Sequence, residues 1–467
     1  MSKYYLAIDI GASSGRHMLA YMEDGQLKLE EIYRFENGMA RRNGKLLWDT
    51  DRLFAEIKEG MKRCHELGKI PYSMAIDTWA VDYVLLDEND NVLGDTYAYR
   101  DDRTDGCDEL VYRYISEDQL YARTGIQKQK FNTIYQLMAV KRDHPELLDK
   151  TKSFLMLPDY FQFKLTGNKM SEYTNATSTQ LVDPKTGQWD RELIEMLGYP
   201  SEAFLELHMP GTEVGDLSQD IQDEVGFNCK VLMCASHDTA SAVMAMPDEQ
   251  DNGIYISSGT WSLMGVELTE ADCSRQSQKD NFTNEGGYEM RFRHLKNIMG
   301  LWMIQSVRNE LGKKHSFAEL CTMAEENKDF PSRVDVNDAS FLAPESMIVA
   351  IKEYCQKTGQ KEPVTVGELA AVIYESLAVC YGQTVREIEQ GSQRQYDRIY
   401  VIGGGSNADY LNMLTAKATH KTVYTGPSEA TAIGNAMAQM IRDGVFSSLG
   451  DARRCVKESF DIKCFNA

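Results

Sequence analysis

Two short stretches of the sequence combine residue types that could move a phosphoryl group. The first is the turn Gly11-Ala12-Ser13-Ser14-Gly15, which lies between Asp9 and Arg16. Small residues allow backbone N–H groups to close on phosphate oxygens, Arg16 adds a positive charge, and Asp9 could hold a hydrated Mg²⁺. The predicted phosphate-contacting residues are Ala12, Ser13, Ser14, Gly15 and Arg16.

The second stretch surrounds Asp238, which follows an apolar strand candidate at 230–234 and precedes a helical pattern. Capping of that helix is the plainer interpretation of an aspartate in this position. Capping and catalysis are compatible, because a carboxylate at a helix N-terminus stays ionised at neutral pH and can orient and deprotonate a substrate hydroxyl. Phosphoryl transfer asks little more of its base, so Asp238 is a candidate catalytic base.

Other chemistries fit the first turn less well. Residues 11–15 also match the G-x-S-x-G pattern of a serine hydrolase, but such an elbow lies between a strand and a helix, and residues 17–21 are strand-like. A plain structural hairpin is the stronger alternative, although it explains neither the buried Asp9 nor Arg16. The sequence contains no GxxxxGK[ST] loop, HExxH helix or CxxC pair, which disfavours P-loop and zinc chemistry.

The composition argues against polyanionic partners. Fifty Lys and Arg stand against 71 Asp and Glu, and the net charge of −21 repels nucleic acids and anionic membrane surfaces. With 467 residues, 42% of them hydrophobic, the chain can build two cores. No targeting segment or apolar run of about 18 residues is visible, and the 10 cysteines are scattered, so we expect a cytoplasmic protein with reduced thiols.

Alternating strands and helices are predicted to position the candidate residues. Strands at 4–9 and 17–22 flank the first turn, and a third strand is predicted from Leu27 to Phe35. A helix with capping aspartates runs from Asp49 to Leu67, and the chain returns to a strand at 73–77. This order indicates a mixed or parallel sheet covered by helices.

The strand–turn–strand pattern recurs in the second half of the chain. Residues 253–268 place the turn Ser257-Ser258-Gly259-Thr260-Trp261-Ser262 between two apolar runs. Further on, a helix opens with a capping box at Thr365, and the strand 398–402 leads into Gly403-Gly404-Gly405. A glycine turn between strand and helix is a common nucleotide site. The recurrence suggests two related domains, with a boundary near 245–252.

Together and in order, these turns resemble the phosphate and adenosine motifs of the actin, hexokinase and Hsp70 superfamily. The fuller resemblance is to the FGGY carbohydrate kinases, and within them to members that act on L-rhamnulose. It extends over nearly the whole chain and is carried by residues 75–83, 99–104, 172–177, 236–241, 283–287, 295–302 and 426–431.

This resemblance implies an α/β fold of two actin-like, ribonuclease H-like domains with a central cleft. Residues 1–246 would form the N-terminal FGGY domain, with the sugar-binding residues and the phosphate turn. Residues 247–467 would form the C-terminal, ATP-binding FGGY domain. The implied reaction is phosphorylation of L-rhamnulose at its 1-hydroxyl by MgATP, in L-rhamnose breakdown, with Asp238 as the base.

The resemblance also assigns binding roles. The ketose would be contacted by the backbone at Ala80 and by His237, Asp238, Thr239 and Asn297. ATP would be contacted by residues 12–16 and by Thr260, Gln305 and Gly404, with the metal at Asp9. A glycine is expected where Ala80 stands, and the extra methyl could narrow the sugar pocket, so the sequence defines the reaction type better than the ketose.

Two alternatives stay open at this point. One is a kinase for a related ketose such as xylulose or fuculose, from which residues 79–83 and 295–302 distinguish the chain by their closer resemblance to the L-rhamnulose kinases. The other is a non-catalytic actin-like protein, either a nucleotide-binding regulator or a filament subunit. Asp238 argues against that alternative, because a regulator needs no carboxylate beside a polar sugar pocket.

Overall fold

The computed structural model describes residues 3–250, 252–342 and 344–467. Strands and helices alternate along this part of the chain, which confirms the predicted α/β class. We find no helix in these ranges with the length and apolar character that a membrane crossing requires. All ten cysteines lie in the described ranges, and none of them is paired in a disulfide there.

The strands follow one another through both halves of the chain. In chain order they are β1 (Tyr4–Ile10), β2 (Ser14–Glu23), β3 (Gln26–Glu36), β4 (Ala40–Arg42), β5 (Lys45–Leu47), β6 (Pro71–Thr78), β7 (Tyr83–Leu86), β8 (Ser153–Met156), β9 (Ser171–Glu172), β10 (Val182–Asp183), β11 (Gln188–Trp189), β12 (Leu207–His208), β13 (Glu213–Asp216), β14 (Lys230–Leu232), β15 (Gly253–Ser258), β16 (Trp261–Leu268), β17 (Thr283–Gly286), β18 (Phe292–Met299), β19 (Arg398–Ile402), β20 (Thr422–Thr425) and β21 (Lys463–Phe465).

The α-helices lie between these strands. In chain order they are α1 (Thr50–Glu66), α2 (Cys107–Val111), α3 (Glu117–Thr124), α4 (Thr133–Asp143), α5 (Pro145–Lys150), α6 (Leu157–Thr166), α7 (Tyr173–Thr177), α8 (Arg191–Met196), α9 (Gln219–Val225), α10 (Asp238–Met244), α11 (Arg275–Lys279), α12 (Trp302–Glu310), α13 (Phe317–Glu326), α14 (Met347–Lys357), α15 (Val366–Ser392), α16 (Asp409–Thr419), α17 (Ala430–Arg442) and α18 (Leu449–Ser459).

The chain divides into two compact units. The first contains the residues up to Ala245 and two later segments, Glu267–His294 and Thr431–Ser459. The second contains Met246–Val266, Leu295–Ala430 and Phe460–Ala467. The return of two later segments to the first unit did not follow from the sequence, and the division into domains at 1–246 and 247–467 stays a prediction.

The first unit is built on a six-stranded sheet with the strand order β13, β14, β6, β1, β2, β3. β1 pairs antiparallel with β2 and parallel with β6. In this register Asp9 is the partner of Arg16 on one side and of Asp77 on the other. The sheet therefore brings these three charged side chains to neighbouring positions, and it confirms the predicted strand–turn–strand opening.

Helix α1 packs against this sheet through its apolar face. The carboxylate of Asp49 caps the helix by accepting a hydrogen bond from Arg52 N at 3.0 Å, as the sequence predicts. Leu53, Ile57 and Met61, spaced four residues apart, are fully buried in the core under the strands. Such spacing puts apolar side chains on one helical face and drives packing onto the sheet.

The sheet in the second unit repeats the arrangement around β1. Its strands have the order β18, β16, β15, β19, β20, β21, whereas β17 and the first residues of β18 belong to the first unit. β15 pairs antiparallel with β16 and parallel with β19. The predicted recurrence of the strand–turn–strand pattern of residues 4–22 at residues 253–268 is therefore confirmed.

The long helix α15 starts where the sequence predicts. Glu368 N donates to Thr365 Oγ1 at 3.2 Å, and Thr365 N donates to Glu368 Oε2 at 2.9 Å, which is the reciprocal capping box. β19 then ends at Ile402, and Gly403 follows with φ of +82°, a backbone conformation that favours glycine.

Candidate active site

The turn between β1 and β2 is fixed by its own backbone and by Asn37. Gly11 N donates to Ser14 O at 2.9 Å, and Asn37 N donates to Ser13 O at 3.0 Å. The Asn37 side chain donates to Gly11 O at 2.8 Å. Residues 11–14 nevertheless keep part of their surface exposed. The turn is therefore preformed and accessible, as a phosphate-binding turn should be.

Gly15 closes this turn where no side chain fits. A Cβ at this position would lie 2.1 Å from Cζ of Phe35, far inside contact distance. Phe35 is itself buried in the core, so it cannot move aside freely. The glycine predicted to contact phosphate is thus also required by packing.

Asp9 and Arg16 form an ion pair beside the turn. Nε and Nη2 of Arg16 each lie 2.9 Å from Asp9 Oδ2. Asp9 is only 5% exposed, so this pair is partly shielded from water. The positive charge that we predicted for phosphate binding is therefore oriented by the carboxylate that we predicted for metal binding.

Asp77 is a second carboxylate at this place, and the sequence analysis did not single it out. Asn435 Nδ2 donates to Asp77 Oδ2 at 2.6 Å, while Asp77 Oδ1 is buried without a hydrogen-bond partner among the described residues. Burial raises the pKa of Asp77 well above its usual range, and the negative charges of Asp9 and Asp238 raise it further. Asp77 therefore lies within electrostatic range of both Asp9 and Asp238.

The donor set at Asp9 and Asp77 fits a Mg²⁺ ion. Mg²⁺ prefers oxygen ligands, and it usually takes one or two protein carboxylates together with water and substrate phosphates. The orphaned Asp77 Oδ1 is an oxygen of the required kind. Within the described ranges no group of three or more His, Cys, Asp and Glu side chains is arranged to hold a metal on its own.

Asp238 is the first residue of α10, and the N-cap position is occupied by His237. The predicted capping residue thus lies one position further along the helix than we expected. Asp238 Oδ1 accepts hydrogen bonds from Thr239 N at 2.6 Å and Thr239 Oγ1 at 3.1 Å. The side chain remains 31% exposed, whereas the other residues of α10 are buried. The carboxylate is therefore both oriented and accessible.

The His237 ring has charged neighbours at both nitrogens. Nε2 lies 3.5 Å from Asp238 Oδ1, and Nδ1 lies 2.9 Å from Arg293 Nη2 and 3.2 Å from Glu285 Oε2. Burial raises the pKa of Glu285, but the adjacent Arg293 guanidinium and the His237 ring together outweigh burial and lower it to about 2. Sequence reasoning missed both of these residues. No local signal sets Arg293 apart, because β18 also contains His294 and Lys296.

Ala80 lies in a loop with a strained backbone. The next residue, Val81, has φ of +66°, which is an outlier for a β-branched residue. The loop is held there because Val81 O accepts from Thr133 Oγ1 at 2.7 Å and from Gln136 Nε2 at 3.2 Å, and Val81 N donates to Ser178 Oγ at 3.2 Å. Strain that is enforced in this way is typical of binding sites.

The same loop lies beside the start of α10. Thr78 N donates to Ser236 O at 2.9 Å, and Asn175 Nδ2 donates to Ser236 O at 3.2 Å and to Trp79 O at 3.4 Å. The structure therefore brings together the segments of Ala80 and His237, as the predicted sugar site requires.

The carboxylate of Asp82 holds this loop in place through hydrogen bonds. Its carboxylate accepts from Trp48 Nε1 at 2.6 Å, Trp79 Nε1 at 2.9 Å, Gln136 Nε2 at 3.0 Å and Tyr99 N at 3.1 Å. The two indole rings lie 4.1 Å apart between centroids. Burial raises the pKa of Asp82 to about 6 despite these donors. Asp82 was not predicted as a site residue.

In the second unit, Thr260 and Gln305 lie near each other. Leu301 N donates to Gly259 O at 3.1 Å, and Trp302 N donates to Thr260 O at 3.0 Å. These bonds place the start of α12 on the β15–β16 turn, and Gln305 is in the first turn of that helix. Two of the predicted ATP-contacting residues are therefore brought together.

The turn that contains Gly404 packs on the same hairpin. A Cβ on Gly405 would lie 1.9 Å from Ser258 Oγ, and a Cβ on Gly403 would lie 3.2 Å from Ser258 O. Asn297 lies on β18, the strand next to β16. The second unit thus gathers its four predicted site residues around one hairpin, and their individual roles stay predictions.

Comparison with known proteins shows the family. The family model for the N-terminal domain of FGGY carbohydrate kinases matches residues 4–245, and the model for the C-terminal domain matches residues 254–442. A rhamnulokinase from Halalkalibacterium halodurans is 51% identical over 460 residues, covering 98% of each chain. A rhamnulokinase from Oceanobacillus iheyensis is 50% identical over 462 residues, covering 99% of this chain and 98% of the relative.

Solved structures share the fold. A ligand-bound xylulose kinase from Lactobacillus acidophilus has a TM-score of 0.79 at 15% identity, and Plasmodium falciparum glycerol kinase with ADP has 0.77 at 14%. Each comparison covers 99% of this chain and 94% of the other. The chain belongs to the FGGY family of carbohydrate kinases and is an ATP-dependent sugar kinase.

Proposed function

We propose that the chain transfers the γ-phosphoryl group of ATP to the 1-hydroxyl of L-rhamnulose. The observation that carries this proposal is the oriented, accessible carboxylate of Asp238 at the start of α10. The choice of ketose is supported by the two relatives named rhamnulokinase, which are 51% and 50% identical over nearly the full chain.

Asp238 would act as the general base. Thr239 holds its Oδ1 through two hydrogen bonds, so the carboxylate does not need to reorient when the ketose binds. As the 1-hydroxyl oxygen bonds to the γ-phosphorus, its proton passes to Asp238, and the bond from that phosphorus to the β–γ bridging oxygen breaks to release ADP. Positioning and charge stabilisation supply most of the rate in such a transfer.

The remaining polar groups would divide between the two substrates. The backbone at Ala80 and the side chains of His237, Thr239 and Asn297 would contact hydroxyl and carbonyl oxygens of the ketose, since a sugar needs several polar partners at fixed positions. Residues 12–16 would contact the ATP phosphates, and the other nucleotide contacts would come from Thr260, Gln305 and Gly404.

Mg²⁺ would be held by Asp9, with Asp77 beside it. When bound, the ion neutralises charge on the β- and γ-phosphates. Arg16, oriented by Asp9 in an ion pair at 2.9 Å, would add positive charge on the same side of the transferred group. The acidic composition and the free cysteines support a cytoplasmic setting for this activity.

The test is ADP release measured with a panel of ketoses. L-Rhamnulose should accelerate ADP release more than L-fuculose or D-xylulose, and Asp238→Asn should lower kcat with L-rhamnulose by about 10²- to 10⁴-fold, the range of a general base. ATP binding, followed by calorimetry, should survive in Asp238→Asn. The proposal fails if no ketose accelerates ADP release or if Asp238→Asn retains the parent rate. A preference for another ketose would reassign the substrate.

A further inference from the structure

Arg293 has no exposed surface, and it lies on the Nδ1 side of the His237 ring. Its Nη2 donates to Glu285 Oε2 at 3.0 Å and lies 2.9 Å from His237 Nδ1, and its Nε donates to Gly286 O at 3.0 Å. Its Nη1 is buried without a hydrogen-bond partner among the described residues. A buried charge and an orphaned donor are both costly, so this arrangement calls for a role.

The contacts around His237 Nδ1 decide where the imidazole carries its proton. A guanidinium can only donate, so the 2.9 Å contact from Arg293 Nη2 is favourable only if Nδ1 is the acceptor. The proton then lies on Nε2, which is 3.5 Å from the accepting carboxylate of Asp238. The opposite tautomer would allow Nδ1 to donate to Glu285, but it would turn Nδ1–H against the guanidinium and the Nε2 lone pair against Asp238.

We propose that Arg293 and Glu285 are positioning residues that hold His237 with its proton on Nε2, so that the ring donates toward Asp238 and the ketose. Glu285 supplies the counter-charge that keeps the Arg293 guanidinium in place, and Arg293 supplies the donor to Nδ1. This inference rests on the proposed function for its kinetic consequence only. The protonated atom of His237 is a property of the protein without substrate.

Both positioning residues come from the segment Glu267–His294, which joins the first unit from the second half of the chain. The segment therefore places the charged pair of Arg293 and Glu285 beside His237 at the start of α10. The described strands and helices before Ala245 do not supply this pair. The hydrogen-bond partner of one ring nitrogen commonly sets which nitrogen of a functional histidine carries the proton. At metal-ligating histidines the loss of such a partner typically costs about 10- to 100-fold in affinity or activity.

The test compares Arg293→Met with the double variant Arg293→Met/Glu285→Gln. In Arg293→Met, Nδ1 loses its donor while the Glu285 carboxylate stays as an acceptor, so the proton should move to Nδ1. In the double variant the amide introduced by Glu285→Gln can donate to Nδ1, and the proton should return to Nε2. The measurement is ¹⁵N NMR of the imidazole, with the resonances of His237 among the eight histidines assigned by loss in His237→Gln.

Kinetics provide the second readout. The kcat/KM for the ketose should fall about 10- to 100-fold in Arg293→Met. The double variant should regain at least half of that loss on a logarithmic scale. The KM for ATP should stay unchanged in both variants. Asp190→Asn is the matched control, because it breaks another arginine pair of the first unit, Arg123 with Asp190, that has no contact with His237. It should leave both the His237 spectrum and kcat/KM unaltered.

Arg293→Met leaves the Glu285 carboxylate buried without its guanidinium partner and can therefore fail to fold. In that case the parent and the neutral double variant still decide which nitrogen of His237 carries the proton. Protonation of His237 at Nδ1 in the parent would overturn the inference, as would the same proton position and kcat/KM in all folded variants. If the spectra behave as expected but no ketose accelerates ADP release, the proposed function fails and the positioning of His237 stands. If the parent is active but its His237 carries the proton on Nδ1, the inference fails alone.

Discussion

The hairpins β1–β2 and β15–β16 hold equivalent places in their sheets but differ in charge. The comparison concerns the second antiparallel residue pair counted from each turn. In the β1–β2 hairpin this pair is Asp9 with Arg16, whereas in the β15–β16 hairpin it is Ser257 with Leu263. One backbone arrangement therefore carries two chemistries. In the proposed function, the first hairpin would contact phosphate and metal through charged groups, and the second would offer neutral groups and close packing to the nucleotide.

Three buried carboxylates near the candidate catalytic residues lie in the first unit. Asp77, Asp82 and Glu285 all belong to the first unit, and burial acts to raise the pKa of each. The predicted ATP-contacting residues of the second unit, Thr260, Gln305 and Gly404, are uncharged. We therefore expect activity to depend on charge in the first unit and on steric fit in the second.

Among the changes that test this difference between the hairpins, the largest effect is expected from removing the charge beside the first turn. Asp9→Asn should lower kcat by about 10²- to 10³-fold, because it removes a charge that we propose to hold Mg²⁺ and the partner that orients Arg16. Ser257→Ala, the corresponding change in the second hairpin, should stay within about threefold of the parent, since it removes a neutral hydroxyl. Steady-state ADP release at saturating Mg²⁺ measures both, with thermal unfolding as the check on folding. Equal losses in the two variants would contradict the division.

A smaller effect is expected on the pH dependence of stability. The pKa of Asp82 is about 6 in the folded protein and about 4 in an unfolded chain, so the folded state binds more protons in this window. The free energy of unfolding contributed by Asp82 should therefore decrease by about 3 kcal/mol as the pH rises from about 4 to about 6.

Asp82→Asn should remove this contribution. The comparison is urea unfolding of parent and variant at several pH values, in which the difference between the two curves isolates Asp82 from other titrating groups. A difference that does not change with pH would show that the carboxyl titrates normally.

The smallest effect is expected from a methyl group in the second unit. Gly405→Ala would place its Cβ 1.9 Å from Ser258 Oγ, and the overpacking should cost about 1–3 kcal/mol and weaken ATP binding without altering its pH dependence. Because the closest overlaps are with the Ser258 side chain, adding Ser258→Gly should restore most of the affinity. Calorimetric titration with ATP compares the two variants, and no recovery in the double variant would show that the clash is not the cause.

Local patterns predicted the elements but not the long-range contacts. The caps at Asp49 and Thr365 and the hairpin around Gly15 follow from residue types a few positions apart, and the structure confirms them. The pairing of Asp77 with Asn435 spans 358 positions, and that of His237 with Arg293 spans 56. No local periodicity encodes such contacts, because they depend on how later segments return to the first unit.

The candidate site divides in the same way. Asp238 could be found because an aspartate between an apolar strand and a helix is a local signal, although the structure shifts it from the N-cap to the first helical position. Asp82 lies in the segment 79–83 that carries the family resemblance, but no sequence pattern gave it a role, because its four hydrogen-bond donors come from separate segments. Sequence patterns thus identify the reacting groups better than the groups that hold them.

The most direct test of the central claim is NMR of the product formed from ATP and L-rhamnulose labelled with ¹³C at carbon 1. We expect a ¹³C–³¹P coupling at that carbon, and growth of the signal should slow by about 10²-fold or more in Asp238→Asn. Phosphate on another carbon, no phosphorylated ketose, or an undiminished rate in Asp238→Asn would contradict it.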